Sequence, residues 1–158
     1  MNIEASNTKK NLEAAFAGES MANRKYLFFA KMARQLGDEE VAALFEKTAN
    51  EETAHAFAHL ELIYPSQELT VERLLELAIE GELYETNVMY PQFEQEAIAE
   101  GKAEAALEFV EQANESRVHA EIFASAAKRF KALKIVEAFH AGRYQKMLDK
   151  KTPQKKAG

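Results

Sequence analysis

The chain has 158 residues, a formal net charge of -6 and no cysteine. That length suits one domain with a substantial core. The acidic balance argues against a nucleic-acid footprint. The missing thiols exclude disulfides, Cys-ligated zinc, iron–sulfur centres and cysteine nucleophiles. No apolar run approaches the roughly 18 residues that span a bilayer, and the opening MNIEASNTKK lacks the apolar stretch of a signal peptide. A cytoplasmic protein with no membrane attachment is the expectation, and Lys150, Lys151, Lys155 and Lys156 read as a solvated basic end.

In chain order, helical periodicity predicts helix A over 8–36, with Leu12, Phe16, Tyr26, Ala30 and Ala33 on one stripe. Gly37 interrupts the pattern, and helix B follows over 38–64 with Val41, Leu44, Phe45 and Leu62 apolar. Pro65 ends it. Helix C is expected over 70–100, helix D over 102–130 beyond Gly101, and a shorter amphipathic helix E over 132–149. No segment alternates with period two, so the class is all-α. The corresponding domain division is a bundle over 1–130 and a C-terminal helix with a basic tail over 131–158.

An internal repeat runs through the first four helices. GESMANRKYLFFAKMARQLGDEEVAALFEKTANEETAH resembles GELYETNVMYPQFEQEAIAEGKAEAALEFVEQANESRVH, matching Glu19 to Glu82, Gly37 to Gly101 and His55 to His119. Gly and His are 18 residues apart in both copies, whereas Glu and Gly are 18 apart in the first and 19 in the second. One extra residue in helix C predicts a π-bulge between Glu82 and Gly101. Two copies of a helical hairpin make a four-helix bundle.

Each helix stripe is broken at mid-length by acid or histidine. Helix A runs Leu12, Phe16, Glu19, Asn23, Tyr26, Ala30; helix B runs Val41, Phe45, Thr48, Glu52, His55, His59, Leu62. Helix C runs Leu75, Ala78, Glu82, Glu85, Met89, Phe93; helix D runs Phe109, Gln112, Ser116, His119, Phe123, with Glu115 on its flank. One buried carboxylate costs several kcal/mol, and several together repel. A lone Glu would snorkel or stay protonated; the same defect at matched depth on four helices points to shared cations. Glu52-x-x-His55 puts two donors about one turn apart on one face. Di-metal carboxylate bundles use a Glu from each of two helices and Glu-x-x-His from each of the other two.

These motifs resemble the rubrerythrin family, particularly its members without a rubredoxin domain. GESMANRKYLFFA is similar to the family's first ligand helix and GELYETNVMYPQF to its third, and the resemblance covers roughly residues 8–130. It implies a ferritin-like four-helix bundle, here with an extra C-terminal helix, and a di-iron centre. Manganese or zinc could take the place of iron, because oxygen-rich sites with histidine accept all three. It implies Glu19, Glu52, His55, Glu82, Glu85 and His119 as ligands. Tyr26 and Tyr90 become hydrogen-bond partners of ligating carboxylates, although by spacing alone either tyrosine is ordinary core. Glu85 becomes the ligand whose position responds to oxidation state.

Helix D departs from this pattern, since Ser116 stands where the repeat and the family have Glu. Glu115, four residues before His119 on the same face, is expected to take over; the alternative is a centre with water in that position or one weakly held metal. His59 and His140 read as structural. Pro91 should kink helix C.

A ferritin-like bundle needs a long crossover between helices B and C. That crossover would span roughly 40 Å at 1.5 Å per helical residue, while Pro65–Leu69 reaches under roughly 20 Å. Either the bundle is plain up-down-up-down or helices C and D pack on A and B of a second chain; the pseudo-symmetric hairpins and the short Pro-containing hinge favour the second, a domain-swapped homodimer. The activity the resemblance implies is reduction of hydrogen peroxide with electrons from an external donor, rubredoxin-like or another reductant. The alternative is an O2-driven ferroxidase with the same ligands.

Overall fold

A computed structural model describes residues 6–151. All regular structure among them is helical: α1 Asn7–Gln35, α2 Glu39–Ile63, a 3-10 turn Ser66–Glu68, α3 Val71–Tyr84, a π-turn Glu85–Met89, α4 Tyr90–Ala99 and α5 Ala103–Lys151. No described helix is long and apolar enough to cross a membrane. The chain divides at Leu69/Thr70 into two compact units. The first is the hairpin of α1 and α2; the second pairs α3 and α4 with α5.

The hairpin turns follow from local chemistry. Gly37 has φ 86° and Gly101 φ 71°, a backbone region that side-chain-bearing residues rarely adopt. In each turn the glycine N–H donates three residues back, to Arg34 or Ile98, and the next N–H donates five back, to Ala33 or Ala97. Helix α1 thus ends in a Schellman turn, and Asp38 at once caps α2 by accepting from the Val41 N–H at 3.0 Å. Helices α1 and α3 start likewise, at Ser6 and Thr70, whose side chains accept from Lys9 and Arg73.

The hairpin interfaces are built on small residues. Every fully buried apolar side chain is alanine: Ala30, Ala33, Ala42, Ala49 and Ala56 in the first unit, Ala97, Ala106 and Ala120 in the second. In α2 these fall seven apart, so the helices approach closely along an alanine line. The expected stripe of helix B is not the line buried within this hairpin, since Val41, His55 and Leu62 lie off it and are exposed. Beside the alanines the two units repeat one aromatic trio. Tyr26 stacks on Phe45 at 6.0 Å and Phe29 meets Phe45 at 5.5 Å; Tyr90 stacks on Phe109 at 6.3 Å and Phe93 meets Phe109 at 5.6 Å.

The expected bulge is present as the π-turn Glu85–Met89. It closes immediately before Pro91, which lacks an N–H and would interrupt an α-helical ladder there. Matched hydrogen bonds locate the inserted residue. Asn23 donates to the Ala49 carbonyl and Thr86 to the Ala113 carbonyl, positions 63 apart on the donor side and 64 apart on the acceptor side. The tyrosines, Tyr26 and Tyr90, are already 64 apart, so the extra residue enters between Thr86 and Tyr90.

One expectation is overturned. There is no separate helix E: α5 runs unbroken from Ala103 to Lys151. The stretch KRFKALKI around residue 131 contains neither Gly nor Pro nor a capping residue, so nothing stops the helix. From residue 131 onward its described side chains are exposed. Lys155 and Lys156 of the basic end lie outside the described residues.

Candidate metal centre

In the first unit, α1 supplies Glu19 and α2 supplies Glu52 and His55. One donor atom from each lies within 4.8 Å of the other two. His55 Nδ1 is 3.1 Å from Glu52 Oε2 and 3.9 Å from Glu19 Oε2. Donors around one ion sit about 3–4 Å apart when each is about 2.1 Å from it, so little movement would be needed to close this trio on a cation. Asn23 braces the pair of helices one turn away, donating to the Ala49 carbonyl at 2.7 Å and to Thr53 Oγ1 at 2.9 Å.

The two carboxyls of this trio titrate as a pair. Their mutual hydrogen bond, then burial and the negative charge of Glu52, raise the pKa of Glu19, opposed by His55 and His59. The same hydrogen bond and that of His55 lower Glu52. His59 is half-buried beside this pair.

In the second unit, α3 supplies Glu82, the π-turn Glu85, and α5 Ser116 and His119. Glu82 Oε2 is buried with no hydrogen-bond partner among the described residues, although it faces His119 Nδ1 at 3.5 Å. An orphaned carboxylate oxygen of this kind costs about 1–3 kcal/mol or more if left bare, and a cation would satisfy it. Ser116 is buried and donates to Glu85 Oε2 at 2.8 Å. Tyr90 is held above its usual pKa, first by burial and then by the charges of Glu85, Glu82, Glu108 and Glu115. It therefore stays a neutral hydroxyl.

The structure brings Glu19, Glu52 and His55 together, and separately pairs Glu82 with His119 and Glu85 with Ser116. Among the described residues no second trio of acids and histidines is as close as the first. Glu115 is exposed; with Asn114, Arg117, Val118 and His119 it lines an open depression on α5. Tyr26 and Tyr90 belong to the aromatic trios, and among the described residues neither hydroxyl bonds a carboxylate. His140 lies exposed against Phe139. Sequence reasoning missed the bond of Asn23, for which the repeat-matched Thr86 was the available signal, and it marked Ser116 as a departure at a ligand position without seeing its bond to Glu85.

An all-helical repeat with an inserted π-turn carries acid–histidine groups on matched helices, and the first of these groups could hold a metal ion. The rubrerythrin family's sequence profile matches residues 10–127, and the chain belongs to that family. It is 37% identical over 131 residues to nigerythrin of Nitratidesulfovibrio vulgaris, covering 75% of this chain and 65% of that protein. To rubrerythrin of Porphyromonas gingivalis it is 38% identical over 120 residues, covering 68% and 60%. The matches thus span less than two thirds of either relative. The solved structure titled as fully reduced, all-ferrous nigerythrin is 35% identical and covers 82% of this chain and 70% of that one, with a TM-score of 0.41.

Proposed function

We propose that this chain holds a di-iron centre and reduces hydrogen peroxide to water with electrons from an external donor. The observation that carries the reading is the preassembled trio of Glu19, Glu52 and His55. Its repeat counterpart in the second unit carries an orphaned acid, Glu82, beside His119. Glu19, Glu52, His55, Glu82, Glu85, Glu115 and His119 form the ligand set. Glu115 supplies its carboxylate from the exposed side of α5, four residues from His119.

When bound, two ferrous ions supply the two electrons that cleavage of an O–O bond requires, and the external reductant restores them. The residues do the rest. Five carboxylates and two imidazoles approximately balance the charge of two divalent or trivalent ions. Glu85, at the opening of a π-turn, sits where the helix has an extra residue of slack. Tyr90, neutral and close to the negative field of Glu85 and Glu82, is placed to donate a proton or a hydrogen bond beside them.

The assembly that completes the set is proposed to be a domain-swapped homodimer, α1 and α2 of one chain packing on α3 to α5 of another. Two facts support it. Among the described residues the buried apolar side chains are all alanine, and Phe28, Phe29, Leu44, Leu83, Val88 and Val118 are more than a third exposed. The link between α2 and α3 is short and contains a 3-10 turn.

Anaerobic loading with Fe(II), followed by mixing with peroxide and with O2 in separate stopped-flow runs, tests the activity. Two irons per chain and faster oxidation by peroxide are expected. Faster oxidation by O2 would move the protein to the ferroxidase reading, and failure to take up iron would remove both.

A further inference from the structure

Aligning the two units exposes an exchange of residues across the hairpin interface. In the first, the long acid is Glu52 on the second helix, and the position matching Glu85 in the register before the inserted residue is Ala22. In the second, the acid is Glu85 on the first helix, and the position matching Glu52 is Ser116. The acid stands on the second helix in the first unit and on the first helix in the second, with a small residue at the matching position of each. Ser116 engages the acid that its own hairpin presents. It is 5% exposed, and its one polar contact is the bond it donates to Glu85 Oε2 at 2.8 Å.

We infer that Ser116 is a positioning residue: its hydroxyl fixes the Glu85 carboxylate by one oxygen, so that the other is presented to a metal ion. A carboxylate carried on a π-turn at the edge of its helix has several rotamers open to it, and a short hydroxyl bond selects among them before the ion arrives. Bonds of this kind to a ligating group typically alter metal affinity by about ten- to hundredfold. The inference rests on the proposed metal site, and goes beyond it in giving a role to the residue at which the repeat breaks.

The test is anaerobic titration of the full-length protein with Co(II), followed by visible absorption, for wild type, S116A, E85Q and the double variant. H119Q identifies the binding step that belongs to the second unit. Alanine at 116 is not expected to impair folding, since Ala106 and Ala120 occupy the same buried line, and circular dichroism checks this. The expected result is two Co(II) per chain in wild type and loss of at least about tenfold in the H119-dependent step of S116A. The other step should be unchanged, and S116A should add nothing in the E85Q background. Undiminished affinity in S116A, or a full S116A effect persisting with E85Q, overturns the inference while leaving the metal site standing. Absence of Co(II) binding by wild type overturns the site itself, and the inference with it.

Discussion

The two hairpins share a backbone plan, down to the aromatic trio and the positive-φ glycine, yet they arm it differently. In the first, acid and imidazole meet: Glu19, Glu52 and His55 are within bonding reach of one ion. In the second, the acids are held apart, Glu85 by Ser116 and Glu82 against His119. Each hairpin carries two interface acids, but the second carries both on one helix, separated by the turn that begins the π-segment. A duplicated fold can thus keep its packing while its acids change position. The first hairpin gathers three donor groups on its own residues, and the second pairs its acids singly with Ser116 and His119.

If that contrast is real, the largest effect belongs to the first hairpin. E52Q removes the carboxylate that both Glu19 and His55 face, and should lower metal affinity by about a hundredfold or more and cut bound iron well below two per chain. E115Q, altering an exposed acid, should cost about tenfold or less. Elemental analysis after gel filtration compares them, and equal losses would erase the proposed asymmetry.

Acid should sharpen the same contrast. The raised pKa of Glu19 means that protons compete for the first trio at a higher pH than for an ordinary carboxylate. Metal uptake there should weaken as pH falls through that raised value. Without metal the signs oppose. Glu19, raised, contributes stability that is present below its unfolded pKa and lost as pH rises through the folded one. Glu52, lowered, contributes stability present above its unfolded pKa and lost as pH falls through the folded one. Metal-free melting temperature should therefore change less over the carboxylate range than chelator-measured affinity does.

Much of this was legible before any coordinates. The repeat, the glycines at 37 and 101 and the 18-against-19 spacing located both hairpins and the π-turn, because a register shift of one residue leaves an arithmetic trace. Acids on apolar stripes marked Glu19, Glu52, Glu82 and Glu85. What periodicity could not supply was which face of each stripe meets its partner. It favoured large apolar residues such as Val41 and Leu62, whereas close helix approach selects Ala42, Ala49 and Ala56. Nor could it see that Ser116 answers Glu85, since the two are 31 residues apart and only the turn at Gly101 brings them together. The break expected near residue 131 failed for a plainer reason: a change of amphipathic pattern does not end a helix that contains no breaker.

The glycine turns should respond alike, which makes them a control. G37A and G101A each force an alanine into a left-handed backbone, at φ 86° and 71°, and should cost roughly 1 kcal/mol apiece. Chemical denaturation reads both, and a large difference would mean that the two turns are not equivalent.

One more pair of variants separates the hairpins again, and its weaker member has the smallest effect. Asn23 makes two interhelical bonds, at 2.7 and 2.9 Å; its counterpart Thr86 makes one, at 3.4 Å. N23A should destabilise by about 1–2 kcal/mol and T86A by about half a kcal/mol. The difference has a structural cause. Asn23 carries a longer side chain with two N–H donors, Thr86 a single hydroxyl on its β-carbon. Equal losses for the two variants would mean that the second bond of Asn23 contributes nothing to the first hairpin.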